Sequence, residues 1–257
     1  MDLQHILSET FVASAEHHEV LGSTNDLARR RADEGLPFPR LITAEHQTSG
    51  RGRGANVWWT GQGSLAMSLL LPSESIPEEA GRSILISLVT AVAVVDTLRP
   101  IVETQPLTGG SVLLGLHWPN DVFLSGRKLA GILIEVLPNR AHVIGIGINT
   151  NNTAADAPDN VRPRVITLRD ATGVVCDHVE LLIGLLNRME LGLRALSVDP
   201  NAIAQAANER CLQQGQILSI QMGKKQLTGR CLGIAPDGAL LIDTPDGPRP
   251  CHSGVVR

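Results

Sequence analysis

Residues 111–149 constrain the fold of this chain more than any other part of it. SVLLGLHWPNDVFLSGRKLAGILIEVL contains three apolar segments broken at WPND and SGRK, and AHVIGIGIN supplies a fourth. Short apolar runs bounded by turn residues predict strands, and the break at SGRK has the length of a hairpin turn. Upstream, RLITAEH and SLAMSLLLP predict two more strands, joined by a loop rich in Gly and Arg. GSTNDLARRRADEG predicts a helix with Ser23 or Thr24 as N-cap and Gly35 as its stop. PEEAGRSILISLVTAVAVVDTLRP predicts a long core helix between two prolines, with acids in its first turn. Residues 150–164 read as loop, and ITLRDATG, HVELLIGLLNRMELGLRAL and DPNAIAQAANERC as helices. The end of the chain, from GQILSIQ onward, is a run of short strands with Gly, Lys and PDG turns, expected to form a small separate β-barrel.

At 257 residues the chain is long enough for one large domain and one small one. A net charge of −4 gives no bulk attraction to nucleic acid or to an anionic membrane. The four cysteines are widely spaced and form no CxxC, which indicates neither a zinc site nor a disulfide framework. The start, MDLQHILSET, lacks the basic and apolar regions of a secretory signal, and the most apolar stretch, residues 83–95, is expected to be too short to span a bilayer. A cytoplasmic protein without membrane attachment is the expectation.

The loop SGRGRGANVWW, Ser49 to Trp59, uses two of the chain's three tryptophans. It formally satisfies the dinucleotide pattern G-x-G-x-x-G/A, but NVWWTGQG is a poor helix start and a strand follows. A Gly-rich backbone with Arg51 and Arg53 suits an anion, held by backbone N–H groups and guanidinium forks, and Trp58 or Trp59 offers a face for a base. The alternative is a solvated loop anchored by one tryptophan.

In WPND the proline restricts the turn, which fixes Asn120 and Asp121 at a strand end. Such an Asp coordinates Mg²⁺ or orients an amine, or simply closes a turn. Lys128 begins an apolar strand with its ammonium directed to whatever cleft the turn borders. Gly131 in mid-strand marks close approach of a ligand or another backbone. GIGIN ends in Asn149, which can donate and accept as an adenine edge requires.

Taken in order, STN, EHQTSGRGR, WPND, GRKLAGILIE and GIGIN, followed by a β-rich end, resemble the biotin protein ligases over residues 21–257. The resemblance implies an α+β fold: a mixed β-sheet with packed helices like the class II aminoacyl-tRNA synthetase and biotin-lipoate ligase cores, in residues 1–210, and an SH3-like barrel in residues 211–257. It implies synthesis of biotinyl-5′-AMP from biotin and MgATP with release of pyrophosphate, then transfer of biotin to a lysine of a biotin carboxyl carrier domain of a carboxylase. By position, Ser23, Thr24, Asn25, Gln47, Gly50, Arg51, Lys128 and Gly131 would bind biotin. Arg53, Trp58, Asn120, Lys128 and Asn149 would bind ATP, Trp58 by stacking on adenine. Lys128, Arg53 and Asp121 would be catalytic, with Asp121 either holding Mg²⁺ or orienting the incoming lysine.

Two departures stand out. Gly54, Ala55 and Asn56 follow Arg53 where the family loop often continues with Gly and Arg, and His117 precedes WPND where the family commonly has Lys. With STN already at Ser23, the resemblance implies a form without the DNA-binding domain of the repressor members, hence no DNA partner; a homodimer remains possible. The competing readings are a lipoate or octanoate ligase, expected to carry a different Arg-rich motif, and a catalytically silent small-molecule-binding regulator.

Overall fold

The computed structural model describes residues 1–76, 83–104 and 113–256. Seven strands form the main sheet: β1 (Ser14–Leu21), β2 (Arg40–Gln47), β3 (Leu65–Leu71), β4 (Leu114–His117), β5 (Asp121–Leu124), β6 (Arg127–Val136) and β7 (His142–Ile148). Their order is β1-β2-β3-β7-β6-β5-β4. β1 runs parallel to β2, and every other neighbouring pair is antiparallel. The parallel pair needs a crossover, supplied by α2 (Thr24–Arg31). The sheet is therefore mixed, as expected. β1 carries no apolar signature, since SAEHHEVL is an edge strand with no fully buried residue, while the short N-terminal helix α1 (Leu3–Glu9) packs Leu3, Ile6 and Leu7 on the core.

The β4–β7 meander follows the turns read from sequence. Ser125 and Gly126 adopt φ of 49° and 76°, the left-handed pair that a two-residue hairpin requires. The 17–18 region of β1, by contrast, places His17 against Thr43 Oγ1 at 2.9 Å and leaves the histidines in a strand-edge role.

One face of the sheet is covered by α3 (Ser83–Glu103), α5 (His178–Val198), α6 (Pro200–Arg210) and α1, the other by α2. The short α4 (Leu168–Thr172) ends at Gly173 in the left-handed conformation. α3 does not stop at Pro100 but continues to Glu103. Losing one N–H there is tolerated because Val102 remains fully buried. The acids expected in its first turn lie outside the described residues. At 21 residues this helix is long and apolar enough to cross a membrane by length and composition, a correction to the shorter stretch read from sequence. It is instead a core helix, with 67% of its apolar window buried in the protein.

The C-terminal strands β8 (Ile217–Met222), β9 (Lys225–Ile234), β10 (Leu240–Thr244), β11 (Gly247–Cys251) and β12 (Val255–Val256) make a second, antiparallel sheet. It shares the main core: Leu218, Ile220, Ile234, Leu240 and Ile242 are packed in the same apolar cluster as α3 and α5. Trp118 joins the two sheets. Its ring is buried, its indole N–H donates to Gly238 O at 3.0 Å, and its backbone N–H donates to Gln213 Oε1 at 2.7 Å.

Trp118→Phe keeps most of the packing but leaves the buried Gly238 carbonyl without a donor. A loss of about 1–3 kcal/mol in urea unfolding is expected; an unchanged midpoint would remove the joint from the account. Burial also pushes the His142 and His178 imidazoles below their ordinary 6.5, and neither ring nitrogen of His142 has a partner among the described residues. Below about 6.5 the unfolded chain therefore binds more protons than the folded one, and stability falls as pH falls. Urea midpoints taken from pH 7.5 to 5 should decline, and His142→Phe should flatten the decline.

Candidate active site

Alternation along β4–β7 sorts side chains into a core face and an open face. On the open face lie His117, Asp121, Phe123, Gly131, Leu133, Gly145 and Gly147, all lining one cavity of about 880 Å³. The paired partners Val122, Ala130, Ile144 and Ile146 are buried in the main core. Lys128 should by simple alternation join Ala130 and Ile132 in that core. A bulge at Leu129 prevents it: Val122 pairs with Ala130 but Phe123 pairs with Lys128, so Leu129 is the extra residue. It takes the buried position and Lys128 turns to the cavity, a common use of bulges beside functional sites.

Gly131 and Gly147 face each other across β6 and β7 and form a bare floor on which the Trp58 ring lies. A methyl group on Gly131 would stand 3.0 Å from Trp58 Cζ3, and one on Gly147 would run into the indole. Trp58 is carried there by the loop after β2, which closes on itself as a hairpin: Trp58 N–H donates to Gly50 O at 2.9 Å and Gly52 N–H to Asn56 O at 2.8 Å. The close approach at Gly50 is thus to Trp58 O, 2.5 Å from where a Cβ would sit. The indole N–H is buried without a partner among the described residues.

One end of the cavity is a buried hydrogen-bonded cluster. Gln47 Oε1 accepts from Thr24 N–H at 2.8 Å and from Thr24 Oγ1 at 3.1 Å, and its Nε2 donates to Thr60 Oγ1 at 3.1 Å. Ser68 Oγ links Thr24 Oγ1 at 2.8 Å and Asn25 Oδ1 at 2.6 Å. Asn25 Nδ2 donates to Glu135 Oε2 at 2.9 Å. Ser23, the N-cap residue of α2, is buried beside them. Arg51 is bound to two carboxylates, Asp26 Oδ1 at 2.8 Å and Glu135 Oε2 at 3.0 Å. Ser68, Asp26 and Glu135 escaped sequence reading because nothing local marks them; only the sheet brings Glu135 to within reach of α2.

The other end is cationic and more open. Lys128 Nζ lies 2.7 Å from Asp121 Oδ1 and 5.6 Å from the Trp58 ring centroid. Arg53 Nη1 donates to Asn120 Oδ1 at 3.0 Å, and Asn120 is itself fixed by donating to Ile132 O at 2.8 Å. Asn149 is buried; its Oδ1 accepts from Asn152 at 3.2 Å, while its Nδ2 has no partner among the described residues. His117 stacks on Phe123 at 4.3 Å. Burial first, then the Lys128 charge, push its imidazole below 6.5 against the opposing pull of Asp121, so this wall is neutral at pH 7. Gly254, Val255 and Val256 of the second sheet complete the mouth. The candidate residues read from sequence thus meet in one cavity or, for Gly50, support the loop beside it.

Such a site can hold a molecule with a polar head in the buried cluster, an apolar body over the glycine floor and an anionic end at Lys128 and Arg53. Two family models match the chain: that of the Biotin/lipoate A/B protein ligase family over residues 18–151 and that of the Biotin protein ligase C terminal domain over residues 215–256. The chain is 30% identical to the biotin–[acetyl-CoA-carboxylase] ligase of Paracoccus denitrificans, over 88% of this chain and 92% of that protein. It is 29% identical to the bifunctional ligase/repressor BirA of Bacillus subtilis, over 94% of this chain and 73% of that protein. Its structure is similar to that of a biotin protein ligase from Aquifex aeolicus in complex with biotin and ATP, with a TM-score of 0.81, 26% identity, and coverage of 95% of this chain and 98% of that one.

Gly147→Ala should force the Trp58 ring off its floor, cost about 1–3 kcal/mol of stability as overpacking does, and shift the tryptophan emission. An unchanged emission spectrum would mean that the ring does not rest there.

Proposed function

This chain belongs to the Biotin/lipoate A/B protein ligase family, and we propose that its cavity makes biotinyl-5′-AMP from biotin and ATP and passes biotin to a lysine of a carboxylase carrier domain. The observation that carries the reading is the joining, on one sheet face, of a buried amide-and-hydroxyl cluster to a cationic mouth, in a cavity where the Trp58 N–H and Asn149 Nδ2 lack partners among the described residues. Buried donors are normally paired, so a ligand that accepts from them completes the site.

In this reading Ser23, Thr24, Asn25 and Gln47 bind the ureido ring, and the tail lies over Gly131. Gly50 keeps the loop backbone tight. Arg51, committed to Asp26 and Glu135, holds that loop over the ureido end. Lys128 and Arg53 draw together the biotin carboxylate and the α-phosphate, two anions that otherwise repel. Trp58, Asn120 and Asn149 receive the nucleotide. A carboxylate oxygen attacks the α-phosphorus, the bond to the β-phosphate oxygen breaks, and pyrophosphate leaves. In the second step the neutral lysine amine attacks the anhydride carbonyl, an amide forms and AMP departs. Residues 1–210 supply the chemistry and residues 211–257 close its mouth.

Among the described residues no cluster of His, Cys, Asp or Glu forms a metal cage, and Asp121 is the one carboxylate lining the cavity. That fits Mg²⁺, which keeps several waters and shares phosphate oxygens with one or two carboxylates. Asp121 would hold the ion, whose contribution is to neutralise phosphate charge. The exposure of Asp121 to the cavity beside Lys128 equally suits a carboxylate that orients the incoming lysine.

Exchange of labelled pyrophosphate into ATP, measured with biotin, with lipoate and with neither, tests the reading; exchange that requires biotin supports it, and exchange with lipoate alone overturns it. Lys128→Ala should fold and lose roughly 10²–10³-fold in exchange, the scale of removing a preorganised donor. Normal exchange in that variant would take Lys128 out of the chemistry.

A further inference from the structure

The cavity is lined by four cations: Arg51, Arg53, Lys128 and Arg164. Two are already compensated, Arg51 by Asp26 and Glu135, and Lys128 by Asp121. Arg53 and Arg164 have no carboxylate partner among the described residues; Arg53 bonds Asn120 Oδ1, and Arg164 bonds only the Asn160 carbonyl, at 3.2 Å from Nε and 2.7 Å from Nη2. The Gly/Arg loop itself carries two arginines and then Gly54, Ala55 and Asn56. A triphosphate brings about four negative charges, more than one uncompensated arginine and Lys128 can match.

Arg164 reaches the mouth by construction. It ends a 3₁₀ turn, Arg162–Arg164, and the next residue, Val165, bridges Lys128 in parallel, with Ile166 N–H donating to Lys128 O at 3.0 Å. The backbone that carries the Lys128 ammonium therefore also fixes where Arg164 starts, and its exposed side chain lines the same cavity.

Resting on the ligase reading, we infer that Arg164 binds the β- and γ-phosphates of ATP and stays with the departing pyrophosphate. A guanidinium bonded only to a neutral carbonyl can exchange that acceptor for phosphate oxygens, which it matches in a bidentate fork. The contact lies on the leaving group rather than on biotin, so its loss is specific to one substrate.

The test compares wild type, Arg164→Ala, Arg164→Lys and the exposed Arg169→Ala, whose guanidinium bonds Asn151 O at 3.4 Å and does not line the cavity. Arg164→Ala should raise the KM for ATP and the Kd for inorganic pyrophosphate, the latter by calorimetry, roughly ten- to a hundredfold, the scale of a charge-assisted hydrogen bond. The KM for biotin and the circular dichroism spectrum should stay as in wild type, Arg164→Lys should recover part of the loss, and Arg169→Ala should match wild type. Unchanged pyrophosphate affinity in Arg164→Ala, or an equal rise in both KM values, overturns the assignment. Wild-type protein that shows no biotin-dependent exchange overturns the ligase reading instead, and pyrophosphate calorimetry still reads Arg164 separately.

Discussion

The phase of one pleat governs this site. Across β4–β7 each residue faces either the core or the cavity, and the functional face is set by a register in which Gly131 opposes Gly147 and His117 opposes Asp121. The core face is filled by branched apolar side chains that a shifted register would expose. Packing energy on one side of the sheet thus holds ligand-binding geometry on the other. The bulge at Leu129 is the single interruption, and it delivers Lys128 to the cavity.

Charge is handled by internal pairing. Lys128 rests against Asp121, and Arg51 against Asp26 and Glu135. A lone charge in a partly dry cavity costs much more than a paired one. At Arg51 and Lys128 an anionic ligand therefore competes with carboxylates already in place, and the Lys128 ammonium changes partner at modest cost, whereas Arg53 and Arg164 rest on neutral oxygens. The same pairing keeps cations preorganised, which is where electrostatic catalysis draws its advantage.

Much of this was legible in the sequence. The meander between residues 114 and 148, the strand-to-strand loop and the later helices follow from apolar runs and turn residues that act locally. What was not legible depends on distant partners. β1 is stabilised by pairing with β2 rather than by its own apolar content. The C-terminal strands look separable as sequence, yet Trp118 and a shared apolar interior tie them to the main sheet. The arginines pointed to an anion, and for Arg51 the anions present are Asp26 and Glu135, contributed by α2 and β6. Gly50, expected from the resemblance to bind biotin, has the carbonyl of Trp58 as its close neighbour.

The bulge also bears on how such a chain can change in length. Because Leu129 is the extra residue, deleting it would restore plain alternation and leave Lys128 opposite Phe123 on the cavity face, at the cost of one buried leucine. An insertion in the middle of β7 has no bulge to absorb it and would carry Gly147 off its facing partner Gly131. By contrast, the Ser125–Gly126 turn lies beyond the last β5–β6 pair, Leu124 with Arg127. Variation in length should therefore collect in hairpin tips and connecting loops, with the strands between them drifting in composition but keeping their residue count.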